Sequence, residues 1–257
     1  NPKLMRIVVI PDTQVKPGID YTYLSFIGKY LVDKKPDIVV HLGDHWDMPS
    51  LSSYDIGKKT FEGRRYLDDI AAGNNAMDIL LSPIKEHNER QRKNGKRQYL
   101  PRKVFLLGNH EQRIERAVNN DAKIEGVIGY KDLNLSDWEV HDFLDVSVIS
   151  GIAFSHYFVT GLAGRPCSTA AVQLNKKHMS CISGHQQGCQ IATGYRGDGV
   201  RLTSIIAGSC YEHNEDYLGH QGNKHWRGII VLNDVTKDGE FDLMPISLKY
   251  LREKYEG

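Results

Sequence analysis

The chain has little cysteine: Cys167, Cys181, Cys189 and Cys210 are the only four in 257 residues. They lack the close paired spacing of a zinc finger, so they are expected to be free thiols in a reducing, cytoplasmic compartment. Long hydrophobic runs are also missing. No stretch approaches the roughly 20 apolar residues that span a bilayer, and no secretory leader pattern is present, so no membrane partner is expected. Nor does charge of one sign dominate: 33 Lys and Arg stand against 32 Asp and Glu, a formal net charge of +1. That balance excludes a global basic field, and a nucleic-acid partner would need a local patch. No internal repeat or low-complexity linker interrupts the sequence, and one domain over residues 1–257 is the expectation.

What the chain does have is a series of short apolar runs, each ending on a residue able to bind a metal. Met5–Ile10 is β-branched and leads into Pro11-Asp12-Thr13-Gln14. Residues 37–42 lead into Gly43-Asp44-His45-Trp46-Asp47. Between them, Asp20 is placed to cap a helix running to about Lys34, with Leu24, Ile27 and Leu31 on one face and Pro36 beyond its end. A β-α-β unit of this kind argues for parallel strands. Residues 103–107 precede Gly108-Asn109-His110-Glu111, and a helix is expected to follow to about Val118. Residues 146–149 and 152–155 are expected to pair as a hairpin whose second strand ends in His156. Residues 179–183 run into Gly184-His185-Gln186-Gln187. Residues 66–92 have a helical pattern that Gly73 and Pro83 are expected to divide or kink. Residues 170–177 form another helix, and strands are expected at 201–207, 228–233 and 241–246.

Five runs therefore end on Asp12, Asp44, Asn109, His156 and His185. Parallel strands of one sheet present their carboxyl ends at one edge, so these donors are expected to converge. A carboxylate at the mouth of a buried strand is costly to desolvate without a compensating cation, and a divalent metal is the natural one. Other features have plainer readings beside the functional one. His41 lies within a strand and reads as packed core. Residues 85–103 are rich in Lys and Arg: a solvated helix end, or a patch for a phosphate backbone. The loop at 211–227 is aromatic and basic and could stack bases. Arg113, His45 and Arg165 are candidate substrate contacts, with surface exposure or packing as the alternative.

The order Asp-x-x, Gly-Asp-x-x-Asp, Gly-Asn-His-Glu, His, Gly-His-x-x resembles the calcineurin-like metallophosphoesterase superfamily over about residues 7–187. The resemblance implies an α/β fold, a four-layer α/β/β/α sandwich of two mixed β-sheets flanked by helices, with two divalent ions at one edge. It implies Asp44 as a bridging ligand, with Asn109, His156 and His185 completing one site and Asp12 in the other. His110 would be the non-ligand histidine near the leaving group, and Asp47 would orient it. The pattern departs at Gln14 and Gln187, where the family has histidine, both in the Asp12 site. A neutral amide oxygen is harder than imidazole, which shifts preference from Zn²⁺ toward Mn²⁺, with Mg²⁺, Ni²⁺ or Fe as other candidates, and weakens that site. The implied activity is hydrolysis of a P–O bond by a metal-bound hydroxide. A phosphodiesterase or nuclease acting on DNA or RNA is preferred. A phosphomonoesterase and a non-catalytic scaffold are the alternatives.

Overall fold

The computed structural model describes residues 4–257. In chain order the elements are β1 (Met5–Ile10), α1 (Leu24–Lys34), β2 (Ile38–His41), α2 (Tyr66–Lys93), β3 (Arg102–Leu106), α3 (Gln112–Asn120), β4 (Glu139–His141), β5 (Ser147–Ile149) and β6 (Ile152–Ser155). There follow β7 (Val159–Thr160), β8 (Arg165–Pro166), α4 (Ala170–Lys177), β9 (Cys181–Ser183), β10 (Gln190–Tyr195), β11 (Arg201–Ile206), α5 (Gly219–Gly222), β12 (Gly228–Val235), β13 (Asp242–Ser247) and α6 (Leu248–Tyr255).

Two mixed sheets organise the molecule. The first has the order β13-β12-β1-β2-β3-β4, and the second β10-β11-β9-β6-β5. Strands β1 to β4 are mutually parallel, as are β6, β9 and β11. The continuous apolar run of β1 follows from its place in the stack, because both of its faces are buried. Ile7 and Val9 join Ile152, Phe154, Ile182 and Ile205 in a core between the two sheets. Val8 and Ile10 face the other way, onto Leu24, Ile27, Met77 and Leu80 of α1 and α2. The outer side of the second sheet carries a third cluster, Ala153, Phe158, Cys167 and Cys181, with Val172 of α4 against it. The result is the four-layer α/β/β/α sandwich with two mixed sheets flanked by helices. Among the described residues no helix is long and apolar enough to cross a membrane.

Several local expectations are revised. α2 is one unbroken helix of 28 residues with Pro83 inside it. Pro83 forfeits one backbone hydrogen bond, but its ring lies against α1 at Gly28, so helix–helix contact holds the segment together. Asp20 does not cap α1 directly. Its carboxylate accepts from the Thr22 N–H at 2.9 Å in the turn before the helix. The short edge strand β4, the strand β10 and the C-terminal helix α6 are additional elements.

Gly73 is set by packing. A Cβ there would lie 1.9 Å from Cδ1 of the fully buried Trp46. Replacing a helical Gly by Ala ordinarily gains up to about 1 kcal/mol. Here the overlap is far inside contact distance, and overpacking of ~1–3 kcal/mol or more outweighs that gain. Gly73→Ala is therefore expected to lower the melting temperature by several degrees. An unchanged or raised value would show that the indole has room to move.

Candidate metal centre

The carboxyl ends of β1, β2 and β3 meet those of β6 and β9 at one edge of the sandwich, so the convergence draws on two sheets and not one. Asp44, His156 and His185 form a group whose ligand atoms all lie within 4.8 Å of one another. His156 Nε2 is 3.2 Å from Asp44 Oδ2. Asn109 Oδ1 lies 2.9 Å from His156 Nε2 and 3.0 Å from His185 Nδ1. These four donor atoms, two oxygens and two imidazole nitrogens, are a set suited to a divalent ion.

The backbone is built to allow this approach. Asp44 and His185 both take left-handed conformations, φ 52° and 69°, which swing their side chains inward off the strand ends. A Cβ on Gly108 would sit 2.1 Å from Asp44 Oδ1, and one on Gly184 2.5 Å from Asp12 Oδ1. The glycine preceding Asn109 and the one preceding His185 are thus the space that the two carboxylates occupy.

His156 donates Nδ1–H to the Leu42 carbonyl at 2.6 Å, which fixes the tautomer and aims Nε2 into the cluster. Asp12 is wholly buried. Its Oδ1 accepts from the His185 N–H at 3.0 Å, but its Oδ2 has no hydrogen-bond partner among the described residues. An orphaned carboxylate oxygen out of water is costly, and a cation is the partner such an atom fits. Burial, reinforced by the charge on Asp44, pushes the Asp12 carboxyl up to about 8. Burial also acts on Asp44, yet the His110 and His156 imidazoles outweigh it and hold that carboxyl well below the ordinary range. His185, desolvated and close to His156, is pushed down to about 4 and is neutral, as a ligand requires.

Beside the cluster, His110 Nδ1 is 2.9 Å from Asp47 Oδ1, leaving Nε2 3.8 Å from Asp44 Oδ2. Burial works against the His110 charge, but Asp44 and Asp47 overcome it and raise the imidazole to about 9. Arg113 donates to the Asp47 carbonyl at 2.9 Å and so braces the same turn. His110, Asp47 and Arg113 open onto a cleft of about 680 Å³, also lined by Lys16 and Tyr217.

Other candidate residues fall elsewhere. His45 is fully buried and cannot face a substrate. It belongs to a closed chain of hydrogen bonds beneath the site. The Gly43 N–H donates to His41 Nδ1, His41 to Thr13 Oγ1, Thr13 to His45 Nδ1, and His45 Nε2 to the Gly73 carbonyl. Arg165 sits exposed on the β7–β8 hairpin and does not line the cleft. The basic segment 85–103 lies toward the amino end of β3, at the opposite edge from the cluster, and Arg102 there pairs with Glu139. Arg227 ties up much of the aromatic loop by donating to the Tyr211 and His213 carbonyls, while Tyr217 stays exposed beside the cleft.

Glu111 has a larger part than its place at the start of α3 suggests. One oxygen accepts from the Asp44 and Gly108 N–H groups, both at 2.9 Å. The other accepts from His45 at 2.7 Å and Trp46 at 3.2 Å. One buried carboxylate thus clamps the Gly-Asn-His-Glu turn to the Gly-Asp-x-x-Asp turn. A Glu following Asn-His was the signal in the sequence, but its reach to residues 44–46 is visible only in the fold.

Calcineurin-like phosphoesterase is the family whose sequence pattern matches, over residues 5–193. The chain belongs to that family, whose members hydrolyse phosphoesters with divalent metals. It is 27% identical to the Gene 54 protein of Mycobacterium phage L5, covering 94% of this chain and 93% of that protein. The Gene 54 protein of Mycobacterium phage D29 is 36% identical over 80 residues, 31% of this chain and 30% of that protein. Among solved structures, the E. coli phosphoesterase Yfce aligns at 10% identity and a TM-score of 0.37, over 95% of this chain and 100% of that one.

Two outcomes are expected. Glu111→Gln places amide hydrogens against two backbone donors and should cost on the order of 2–4 kcal/mol, measured by denaturant unfolding. A cost near zero would mean that the clamp is dispensable. The second concerns the metal-free protein. Asp12, Glu111, His110 and His156 all have raised values, so the folded chain holds protons that the unfolded chain has released. Above about pH 7, where the unfolded histidines are neutral, stability should therefore fall as pH rises toward about 10. The depressed groups act oppositely: burial keeps His41, His45 and His185 neutral in the fold, so their effect is lost as pH falls below about 6.5, and that of the Asp44 and Asp47 carboxyls is lost below about 4. A divalent ion on this cluster needs neutral His156, so the melting-temperature gain on adding Mn²⁺ should grow between pH 6 and 8.5. A gain independent of pH would contradict this assignment of protons.

Proposed function

We propose that the chain is a metal-dependent phosphodiesterase, with a nucleic-acid strand as the substrate class. The observation that carries the reading is the side-by-side placement of the buried donor cluster and the Asp47-braced His110, which opens on a cleft large enough for a nucleotide-sized leaving group. Asp44, Asn109, His156 and His185 would hold one ion, and Asp12, Gln14 and Gln187 flank the neighbouring position. A bound divalent ion supplies Lewis-acid polarisation of a phosphoryl oxygen and a water acidified toward neutral pH.

The residues of the chain do the rest. Asp47 holds Nδ1–H of His110, so the imidazolium presents Nε2–H to an oxygen leaving toward the cleft. Arg113 keeps Asp47 in place through its carbonyl. The Glu111 clamp fixes Asp44 against His110, whose own N–H donates to Asp44 Oδ1 at 2.9 Å. The cleft is lined by Lys16, Lys58, Arg64, Arg65 and Arg113 among several carboxylates, which suits a polar leaving group.

His110→Ala is expected to lower turnover by about 10²–10⁴-fold while the fold persists. Asp44→Asn should abolish metal-dependent hydrolysis. Bis-p-nitrophenyl phosphate should be cleaved in preference to p-nitrophenyl phosphate, and DNA or RNA strands should be cut. Preference for the monoester would replace the diesterase reading with a phosphomonoesterase. Undiminished turnover in both variants would remove the mechanism. No hydrolysis with Mn²⁺, Mg²⁺, Zn²⁺ or Ni²⁺ would favour a scaffold.

A further inference from the structure

Each of the two glutamines in the Asp12 position is engaged by a tyrosine. Gln14 is buried, and its Oε1 accepts from the Tyr217 hydroxyl at 3.3 Å. Gln187 Oε1 accepts from the Tyr211 hydroxyl at 2.5 Å, and its Nε2 donates to the His185 carbonyl at 3.3 Å. Tyr211 is itself tightly packed. It is fully buried, stacks on His213 with ring centroids 4.5 Å apart, and lies under the Arg227 guanidinium at 5.0 Å. An amide oxygen has two lone pairs, and in each glutamine one already receives a tyrosine proton. An ion placed there meets neutral, partly engaged oxygens and a single unpartnered carboxylate oxygen, Asp12 Oδ2. In the neighbouring set of Asp44, Asn109, His156 and His185 no tyrosine hydroxyl donates to a ligand oxygen among the described residues, and the His110 N–H goes to Asp44 Oδ1, leaving Oδ2 facing the cluster.

We propose that the centre holds one divalent ion tightly, on Asp44, Asn109, His156 and His185, and that Tyr211 and Tyr217 make the position around Asp12 a low-affinity one. The inference rests on the metal-centre reading above and adds to it an inequality between the two positions. The tyrosines compete with the second ion; they do not orient ligands for it. Each hydrogen bond that must be displaced weakens that ion by roughly 3- to 10-fold.

The test is a Mn²⁺ titration of the chelator-stripped protein, followed by calorimetry and native mass spectrometry. The wild-type chain should take up one ion, with a second at least about 100-fold weaker. The Tyr211→Phe, Tyr217→Phe variant should tighten the second ion roughly 10- to 100-fold and leave the first unchanged. Gln14→His with Gln187→His should give two ions of comparable affinity and provides a second route if the Tyr211 change unfolds the chain. Two equivalent ions in the wild type would overturn the inference and leave the metal centre standing. So would a second ion weakened by the tyrosine changes. Binding of no ion would overturn the metal-centre reading, and this inference with it.

Discussion

Two carboxylates held out of water set the terms for this molecule. Asp12 and Asp44 are 0% and 1% exposed at an edge where two sheets meet. Left alone, two buried like charges would be among the most unfavourable features a domain could carry. Their surroundings offset that cost. His156 and His110 flank Asp44, backbone N–H groups of His110 and His185 serve one oxygen of each carboxylate, and the Leu42 carbonyl steers His156. One oxygen, Asp12 Oδ2, remains without a partner. The left-handed turns, the close-approach glycines and the Glu111 clamp all exist to hold this charge where a cation can reach it.

The sandwich makes such an arrangement cheap in chain length. Parallel strands of the first sheet deliver Asp12, Asp44 and Asn109, while the parallel pair β6 and β9 of the second delivers His156 and His185. Each donor lies one to three residues beyond a rigid strand, so its position is fixed by ladder hydrogen bonds and by two apolar cores. The loops are then free to shape the cleft that receives the substrate. The 49–69 segment and residues 215–217 form its walls.

Much of this was legible in the sequence because buried strands are short apolar runs and their ends are marked by glycine and a polar residue. The runs of β1, β2, β3, β6 and β9 end at the residues that converge on this edge. Their convergence was expected from a single sheet, and two sheets supply it, because strand order is a tertiary fact that no run encodes. Gly73 and Pro83 were expected to divide or kink α2, and the contact of Pro83 at Gly28 of α1 keeps it one helix. β10 and α6 escaped because their sides facing solvent dilute the apolar pattern. His45 was read as a substrate contact from its place between two carboxylates, yet the left-handed turn at Asp44 sends its ring into the core. The roles of Tyr211 and Tyr217 depend on a loop folding back across the site, a closure of more than twenty residues in Tyr211 with Gln187 and about two hundred in Tyr217 with Gln14.

The most direct test of the buried-charge centre is anomalous diffraction at the manganese edge from crystals of the protein grown with Mn²⁺. The expected result is a strong peak about 2.0–2.4 Å from Asp44 Oδ2, Asn109 Oδ1, His156 Nε2 and His185 Nδ1. A map with no peak at that edge of the sandwich, or with manganese bound only elsewhere, would contradict the assignment of these strand ends to a metal.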